Sequence, residues 1–206
     1  MKTLVIAPHA DDEILGCGGT LLRRWQDGGE VAWLIVTSLD PSSGWTQDRA
    51  ASRNAEIEIV RRGLHIRKDN IFQLKFSPAE LTDVDLPHLV AAIGSVVEQF
   101  KPTELFVPHP GDAHSDHRVV FVAASACTKW FRYPSVSRVA TYETLSETDF
   151  GVDPRHAPFV PNWFVDIAGC LDKKIALLNT YESEVAAFPF PRSEEALKAL
   201  AQLRGS

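Results

Sequence analysis

The sequence predicts a three-layer α/β fold built on a mostly parallel sheet. Short apolar runs alternate along the chain with longer stretches of helical periodicity, which is the pattern of parallel βαβ units. Glycine and proline mark many of the boundaries between these stretches. The chain has 206 residues, of which 45% are hydrophobic and 23% are charged. This length and composition suit one globular domain with a sizeable core.

The first three elements are predicted to be a strand, a helix and a second strand. Residues 4–7 form an apolar run that fits a buried strand. Residues 13–25 carry apolar side chains at helical spacing, and the pair Gly28-Gly29 predicts the end of that helix. Residues 31–37 are almost continuously apolar, as expected of a strand that is covered on both faces.

The same alternation continues to residue 142. Asp85 and Pro87 favour a helix start just before residue 86, and Gly63 favours the end of an earlier helix. The remaining strands are predicted at 71–74, 104–107 and 139–142, and the helices at 47–62, 86–100 and 117–130. Residues 1–142 therefore predict a Rossmann-like core.

Residues 143–206 are predicted to form a C-terminal extension of the same single domain, which spans 1–206. Residues 146–162 contain three prolines and little periodicity, which indicates a long loop over the site. A late strand is predicted at 164–167, and two closing helices at 170–181 and 193–203.

Charge and composition argue against several function classes. The formal net charge is -6, whereas a protein that binds duplex nucleic acid normally presents a basic face. No apolar run approaches the roughly 20 residues that a membrane span needs. The three cysteines are far apart in sequence, as expected of buried thiols in a reducing compartment. We therefore expect a cytoplasmic protein with no membrane anchor and no nucleic-acid partner.

A cluster of one histidine and three acidic side chains follows the first predicted strand directly. It consists of His9, Asp11, Asp12 and Glu13. In open α/β sheets the ligand site lies at the carboxyl ends of the strands. So many carboxylates repel one another unless a divalent cation lies among them. Zinc accepts mixed histidine and aspartate ligands, so the segment predicts part of a metal site.

A second cluster follows the fourth predicted strand. It contains Asp112, His114, Asp116 and His117. In the common strand order 3-2-1-4-5 the first and fourth strands are neighbours, so both clusters would face one crevice. A catalytic zinc has three protein ligands and one open position. Two such clusters at adjacent strand ends predict a metal site far better than either cluster alone.

Other candidate features are weaker. Gly16, Gly18 and Gly19 do not fit a dinucleotide fingerprint and follow carboxylates that would repel a pyrophosphate, so we interpret them as close-packing positions. Arg53, with Glu56 one helical turn on, suits a substrate-binding role and a solvated helix face equally well. The remaining histidines divide into three expected at the surface and one, His109, expected either to line the site or to support the core. The three surface histidines are His65, His88 and His156.

Together these motifs resemble the PIG-L or LmbE-like deacetylases. The resemblance rests on Pro-His-x-Asp-Asp-Glu at 8–13, the glycine-rich stretch 15–20 and His-x-Asp-His at 114–117. Segments 53–64 and 161–174 are similar to the second helix and the C-terminal part of that family. The resemblance implies a zinc-dependent hydrolase that removes the acetyl group from an N-acetylglucosamine-type sugar or glycoside.

The family's roles transfer to matching positions of this chain. The resemblance implies that His9, Asp12 and His117 bind one Zn²⁺ per chain, with other divalent metals as alternatives. It implies that Asp11 is the general base and that His114 stabilises the transition state. Asp116 would orient a ligand imidazole.

The chain departs from the family pattern at two places in these motifs. Ala10 replaces the usual proline of the first motif, which is a mild change in a turn. Asp112 stands where some members carry a tyrosine that holds the carbonyl oxygen, so another donor, or none, must serve here.

Three alternative functions remain open from the sequence. One is a metal-dependent amidase that acts on a thiol conjugate or a longer acyl chain. A second is a Rossmann-like nucleotide-binding module without hydrolytic activity, and a third is an inactive binding module. The expected partner is a small N-acetylated sugar, and the aromatic residues Trp45, Phe150 and Trp163 are candidates for stacking on it. Relatives form rings or dimers, and the sequence leaves the oligomeric state of this chain open.

Overall fold

The computed structural model describes residues 1–155 and 158–206, so His156 lies outside the described residues. The described residues form five strands, β1 (Lys2–Ala7), β2 (Glu30–Thr37), β3 (Ile71–Phe76), β4 (Glu104–Pro108) and β5 (Arg138–Tyr142). Six α-helices accompany them, α1 (Asp12–Gln26), α2 (Gln47–Gly63), α3 (Leu86–Phe100), α4 (Ser115–Ala126), α5 (Leu171–Leu178) and α6 (Glu194–Gly205). Among these described elements no helix is long and apolar enough to cross a membrane.

The five strands form one parallel sheet in the order β3-β2-β1-β4-β5. This is the order predicted from the sequence, and it places β1 beside β4 at the centre. The chain direction of the connections reverses between these two strands, which is the position of the ligand crevice in open α/β sheets. The predicted α/β fold class is therefore confirmed.

Both faces of the sheet are covered by helices. Successive side chains of a strand point to opposite faces, so each strand contributes to two cores. Val5 and Ala7 of β1 pack in one core, which also holds side chains from α1, α2 and α5. Leu4 and Ile6 pack in the other core, together with α3 and α4. This double burial explains why β1 and β2 appear in the sequence as almost unbroken apolar runs.

The glycines of α1 allow this helix to pack closely against its neighbours. A Cβ atom on Gly16 would lie 2.2 Å from the Tyr142 ring, and one on Gly19 would lie 2.6 Å from Ile167. The prediction that these are close-packing positions is therefore confirmed. The helix is kinked at Cys17, and the Leu15 carbonyl accepts a hydrogen bond of 2.9 Å from Lys174 Nζ.

A buried ion-pair network closes the sheet at the amino ends of its strands. Glu104, the first residue of β4, accepts hydrogen bonds from Arg24 Nε at 2.9 Å, from Arg138 at 3.2 Å and from Thr3 Oγ1 at 2.9 Å. Both guanidinium groups lie 5.3 Å from the ring of Trp163, within the range of a cation–π contact. These contacts fix the C-terminal extension to the core.

Two predicted elements differ from the structure. Residues 164–167 do not form a strand, because Phe164 is exposed and Ile167 packs on α1 instead of pairing with the sheet. The fourth helix ends at Ala126 and not near Trp130. The Thr128 hydroxyl donates a hydrogen bond back to the Ser125 carbonyl. The Trp130 side chain is 75% exposed and does not pack in the core.

Candidate metal centre

The two sequence clusters meet at the carboxyl ends of β1 and β4. The first cluster occupies the turn after β1 and the first residues of α1, and the second occupies the loop after β4 and the start of α4. Both helices begin with carboxylates in their first turn, where the helix dipole favours negative charge. The parallel pairing of β1 with β4 therefore brings together segments that are about a hundred residues apart.

Three potential ligand atoms converge on one point. Asp12 Oδ2 lies 3.3 Å from His9 Nδ1 and 3.2 Å from His117 Nε2. His9, Asp12 and His117 form one of the groups whose ligand atoms all lie within 4.8 Å of one another. Asp12 and His117 are buried, whereas the His9 side chain is 22% exposed at the edge of a cavity.

A carboxylate sets the tautomer of each histidine in this group. His9 Nε2 lies 3.0 Å from Asp116 Oδ2, and His117 Nδ1 lies 2.8 Å from Asp112 Oδ2. Because a carboxylate can only accept, each of these ring nitrogens carries the proton. The lone pairs of His9 Nδ1 and His117 Nε2 are then left for a metal ion. Carboxylates that orient ligand histidines in this way are common around zinc.

The two orienting carboxylates are themselves held in place. Asp116 Oδ2 accepts from the Ala79 backbone N–H at 2.7 Å, and its Oδ1 accepts from the Leu81 N–H at 3.2 Å. Asp112 Oδ1 accepts from Thr148 Oγ1 at 2.7 Å. The structure thus places Asp112 and Asp116 behind the histidines, and not in the cavity. This donor set, with two neutral imidazole nitrogens and one carboxylate oxygen, fits zinc with an open fourth position.

The protonation of these groups in the metal-free protein reflects their mutual proximity. Burial opposes a charge on His9, but hydrogen bonds to Asp116 and Asp12 outweigh it and raise its pKa to about 9. Burial acts in the same way on His117, and Asp12 and Asp112 raise its pKa to about 10. In Asp12, the neighbouring imidazoles overcome burial and hold the pKa well below its usual range. A metal ion would take the place of the protons on the two histidines.

Asp11 lies beside this group in an uncommon backbone conformation. Its φ of 150° falls where non-glycine residues are rare, and such strained positions cluster at functional sites. Its Oδ2 accepts a hydrogen bond of 2.8 Å from Arg192, whereas no described residue donates to its Oδ1. Burial and the charge of Asp12 raise the pKa of Asp11 to about 7, with Arg192 opposing the shift. That value suits proton transfer near neutral pH.

Glu13 supports the strained backbone of Asp11 from below. Its Oε2 accepts from the Asp11 backbone N–H at 3.1 Å, and its Oε1 accepts from the Tyr181 hydroxyl at 3.1 Å. The side chain is fully buried, and burial raises its pKa well above the usual range. The last acid of the first motif therefore serves the loop and does not face the ligand.

His114 caps α4 and faces the metal group. Its Nδ1 accepts a hydrogen bond of 3.1 Å from the Asp116 backbone N–H, so Nδ1 is unprotonated and Nε2 carries the proton. The ring centroid lies 4.5 Å from that of His9. Burial and the neighbouring histidines lower the pKa of His114 to about 4. His114 is therefore a neutral hydrogen-bond donor at neutral pH.

A cavity of about 300 Å³ opens beside these residues. His9, Asp11, Asp12 and His114 line its polar end. The opposite wall is mainly apolar, and the residues that form it include Leu39, Trp45, Ala50, Ile57 and Pro78. Of the three aromatic residues proposed to stack on a sugar, only Trp45 lines this cavity. Trp163 packs on Phe106, and Phe150 is exposed elsewhere.

Arg53 and three residues from the C-terminal extension complete the cavity wall. Arg53 donates to the Ala10 carbonyl at 2.7 Å, so it holds the loop that carries Asp11. It also pairs with Glu184, which in turn lies 3.5 Å from Arg192. Sequence analysis missed Glu147, Glu184 and Arg192. No local pattern marks them, because each is far from the motifs in sequence and reaches the site only through the tertiary fold.

Of the remaining histidines that the structure describes, His65, His88 and His109 lie outside the cavity. His109 Nδ1 accepts from the Gly111 N–H at 3.1 Å, and the buried ring contacts Phe159, so this residue supports the loop after β4. His65 and His88 are exposed, as predicted, and His65 stacks on Trp25 with a centroid distance of 3.5 Å.

Comparison with known proteins agrees with this geometry. The family model of GlcNAc-PI de-N-acetylases, PIG-L, matches residues 4–128, which include both clusters. The chain is 27% identical over 197 residues to the diacetylchitobiose deacetylase of Thermococcus kodakarensis, covering 89% of this chain and 70% of that protein.

Solved structures share the fold. A conserved protein from Thermus thermophilus is 28% identical, with a TM-score of 0.78 over 98% of this chain and 87% of that one. The N,N'-diacetylchitobiose deacetylase from Pyrococcus horikoshii is 23% identical, with a TM-score of 0.73 over 99% of this chain and 78% of that one. At that identity the second likeness concerns the fold alone.

Proposed function

Because the chain belongs to the PIG-L family, we propose that it hydrolyses the N-acetyl group of an N-acetylglucosamine-type sugar or glycoside. The products are acetate and a free amine. The observation that carries the proposal is the juxtaposition of a zinc-type ligand set, His9, Asp12 and His117, with the strained carboxylate of Asp11, beside a cavity that His9, Asp11 and Asp12 line. The deacetylase that matches over most of the chain supports the same class of reaction.

The residues of the cavity have distinct roles in this proposal. Zinc, when bound, supplies Lewis-acid polarisation of the amide carbonyl and activation of a water molecule. Asp11 Oδ1, which accepts no hydrogen bond from the described residues, would take a proton from the water that attacks the amide. In the metal-free protein, burial and Asp12 raise the pKa of Asp11 to about 7, a value that suits a carboxylate that accepts a proton near neutral pH and returns it later.

His114 acts as a neutral donor in this scheme. Its Nε2–H is directed by the capping hydrogen bond at Nδ1. A fixed donor that faces developing negative charge is a large contribution to acyl-transfer catalysis. His114 therefore supports the tetrahedral oxyanion, and Asp11 passes the proton that it took from water to the departing sugar amine. Asp112 and Asp116 keep the ligand imidazoles in the required tautomers.

The cavity favours a small uncharged sugar. About 300 Å³ lies at the small end of ligand pockets. Of the four carboxylates that line it, Asp11, Glu147 and Glu184 are paired with Arg53 or Arg192, and Asp12 is paired with two histidines. Trp45 offers an exposed aromatic face for an apolar sugar surface. Carboxylates at the mouth of the crevice are unfavourable for a nucleotide phosphate, which weighs against the nucleotide-binding alternative.

Three cysteines, all free and buried, support the proposed cytoplasmic location, since thiols persist in reducing compartments. The proposed partner is a small N-acetylated molecule. A nucleic-acid partner is not proposed, because the formal net charge is -6.

The test is release of primary amine from a panel of N-acetylated sugars by zinc-loaded protein. We expect release by the wild type and almost none by Asp11→Asn, which keeps the metal ligands. The matched control is Asp27→Asn. Asp27 is an exposed aspartate that follows the C-terminal end of α1 and pairs with Arg23. If the wild type releases no amine from any sugar, the proposal is wrong.

The same assay separates acetyl release from the amidase alternative. The apolar wall of the cavity is also compatible with a longer acyl chain. Each sugar is therefore offered with acetyl, butyryl and octanoyl groups. A preference for acetyl supports the deacetylase, whereas a preference for octanoyl would assign the chain to the amidases.

A further inference from the structure

Arg192 enters the site from the segment before α6, 181 residues away from Asp11. All three guanidinium nitrogens have partners. Nε donates to Ser146 Oγ at 2.7 Å, one terminal nitrogen donates to Asp11 Oδ2 at 2.8 Å, and the other donates to Glu147 Oε1 at 3.2 Å. Its side chain is only 17% exposed and lines the cavity. This is a fixed guanidinium and not a surface ion pair.

The contact with Asp11 is selective for one oxygen. Arg192 holds Oδ2, and among the described residues no other cation pairs with the Asp11 carboxylate. Oδ1 accepts no hydrogen bond from the described residues, and Asp11 is one of the residues that line the cavity. A carboxylate that accepts a proton must present one lone pair in a fixed direction, and misplacement by about 1 Å can cost about 10²-fold in rate. A guanidinium on the other oxygen provides such a restraint.

The same guanidinium also contacts the second half of the site. Glu147, which accepts from Arg192, accepts at its other oxygen from the His114 backbone N–H at 3.1 Å. Asp11 and His114 belong to loops at the ends of different strands, so nothing in the local sequence fixes their separation. The chain Asp11–Arg192–Glu147–His114 links them directly.

We propose that Arg192 is a positioning residue that fixes the carboxylate of Asp11 and couples it, through Glu147, to His114. The proposal rests on the proposed deacetylase function for its kinetic consequence, but its structural consequence is independent of turnover. A lysine at this position has the charge but cannot reach three acceptors with a planar fork. An alanine removes both the charge and the restraint.

The experiment compares Arg192→Ala and Arg192→Lys with wild type as zinc-loaded proteins. Arg62→Ala is the matched control, because Arg62 is an exposed arginine paired with Glu58 on α2. We expect Arg192→Ala to retain its zinc and its KM, and to lose about 10²-fold in kcat. Arg192→Lys should recover part of that loss. Millimolar guanidinium chloride should partly restore Arg192→Ala and have no effect on wild type or Arg62→Ala.

A crystal structure of each variant provides a readout that does not depend on turnover. In Arg192→Ala the Asp11 carboxylate should be rotated or disordered while the zinc ligands stay in place, and in Arg62→Ala it should not move. An unchanged Asp11 in Arg192→Ala overturns the proposal, whether or not the wild type hydrolyses any sugar. Loss of kcat with no guanidinium rescue and a lowered melting temperature would likewise assign Arg192 a purely structural role. Absence of wild-type turnover with a displaced Asp11 would contradict the proposed function alone.

Discussion

Two buried clusters of charged side chains lie at opposite ends of the same strands, and they are neutralised in different ways. At the amino ends, Glu104 is surrounded by Arg24, Arg138 and Thr3. At the carboxyl ends, several buried aspartates meet three histidines, and among the described residues the arginine that pairs with one of these aspartates, Asp11, is Arg192. In the first cluster, the two arginines compensate the negative charge of Glu104. The second has an excess of acid that protons on histidine, or a divalent ion, must offset.

This difference separates residues that stabilise the fold from residues that serve a ligand. Arginine cannot lose its charge in a protein, so Glu104 stays paired with guanidinium groups and is not available to bind a metal ion. Histidine can exchange its proton for a metal ion, so the cluster at His9 and His117 is able to bind one. Substitutions in the two clusters should therefore change different properties of the protein.

His117→Ala should abolish the activity and the metal site together. It removes one of three ligand atoms and leaves Asp12 without a partner that lies 3.2 Å away. Metal content by mass spectrometry and amine release should both fall to background. His65→Ala, which changes an exposed histidine, is the control. A variant that binds zinc as tightly as wild type would show that His117 is not a ligand.

Asp11→Asn should lower kcat by about 10² to 10⁴-fold, the usual contribution of a general base, and leave the metal bound. The asparagine retains the size of the side chain but cannot take up a proton. The measurement is kcat together with zinc stoichiometry on the same sample. Near-normal turnover would show that another group accepts the proton.

Glu104→Gln should affect stability and not catalysis. It leaves two guanidinium groups beside a neutral side chain, and breaking a buried ion pair costs about 3 kcal/mol or more in the free energy of unfolding. Urea unfolding measures this loss, with Glu58→Gln on the surface of α2 as the control. Activity per folded molecule should equal that of wild type. A selective loss of zinc in Glu104→Gln would break the distinction between the two clusters.

Asp116→Asn should weaken zinc binding by about 10 to 100-fold without abolishing it, as expected of a group that orients a ligand. The amide is a poorer acceptor for His9 Nε2–H and disturbs the hydrogen bonds from Ala79 and Leu81. Competition with a chromogenic chelator gives the affinity. An affinity equal to that of wild type would show that His9 needs no orienting carboxylate.

Metal binding should release protons. His9 and His117 have pKa values of about 9 and about 10 in the metal-free protein, so both are protonated at neutral pH. Zinc needs their neutral forms, so its affinity should rise with pH until the pH passes these values, and about two protons should leave at neutral pH. Calorimetry in buffers of different ionisation enthalpy counts them. A heat independent of the buffer would contradict the assignment of the two histidines as ligands.

The sequence predicted the parts of the site that lie next to regular elements. The alternation of apolar runs and helices predicts a doubly wound parallel sheet, and the strand order common in such sheets, which the structure has, places His9 and Asp12 opposite His114 and His117. The mostly apolar residues 164–167 were wrongly predicted as a strand, because so short a pattern does not distinguish pairing with a sheet from packing on a helix. Arg192 and Glu147 could not be predicted. Their roles arise from loops whose course depends on the whole tertiary fold.

The most direct test of the account is reconstitution of the metal-free protein with zinc. Amine release from the best N-acetylated sugar is followed while zinc is added in fractions of an equivalent. The account predicts no release without metal and a linear rise that ends at about one zinc per chain, the stoichiometry of a single three-ligand site. Release that is already complete in the metal-free protein, or that shows no dependence on added metal, would contradict it.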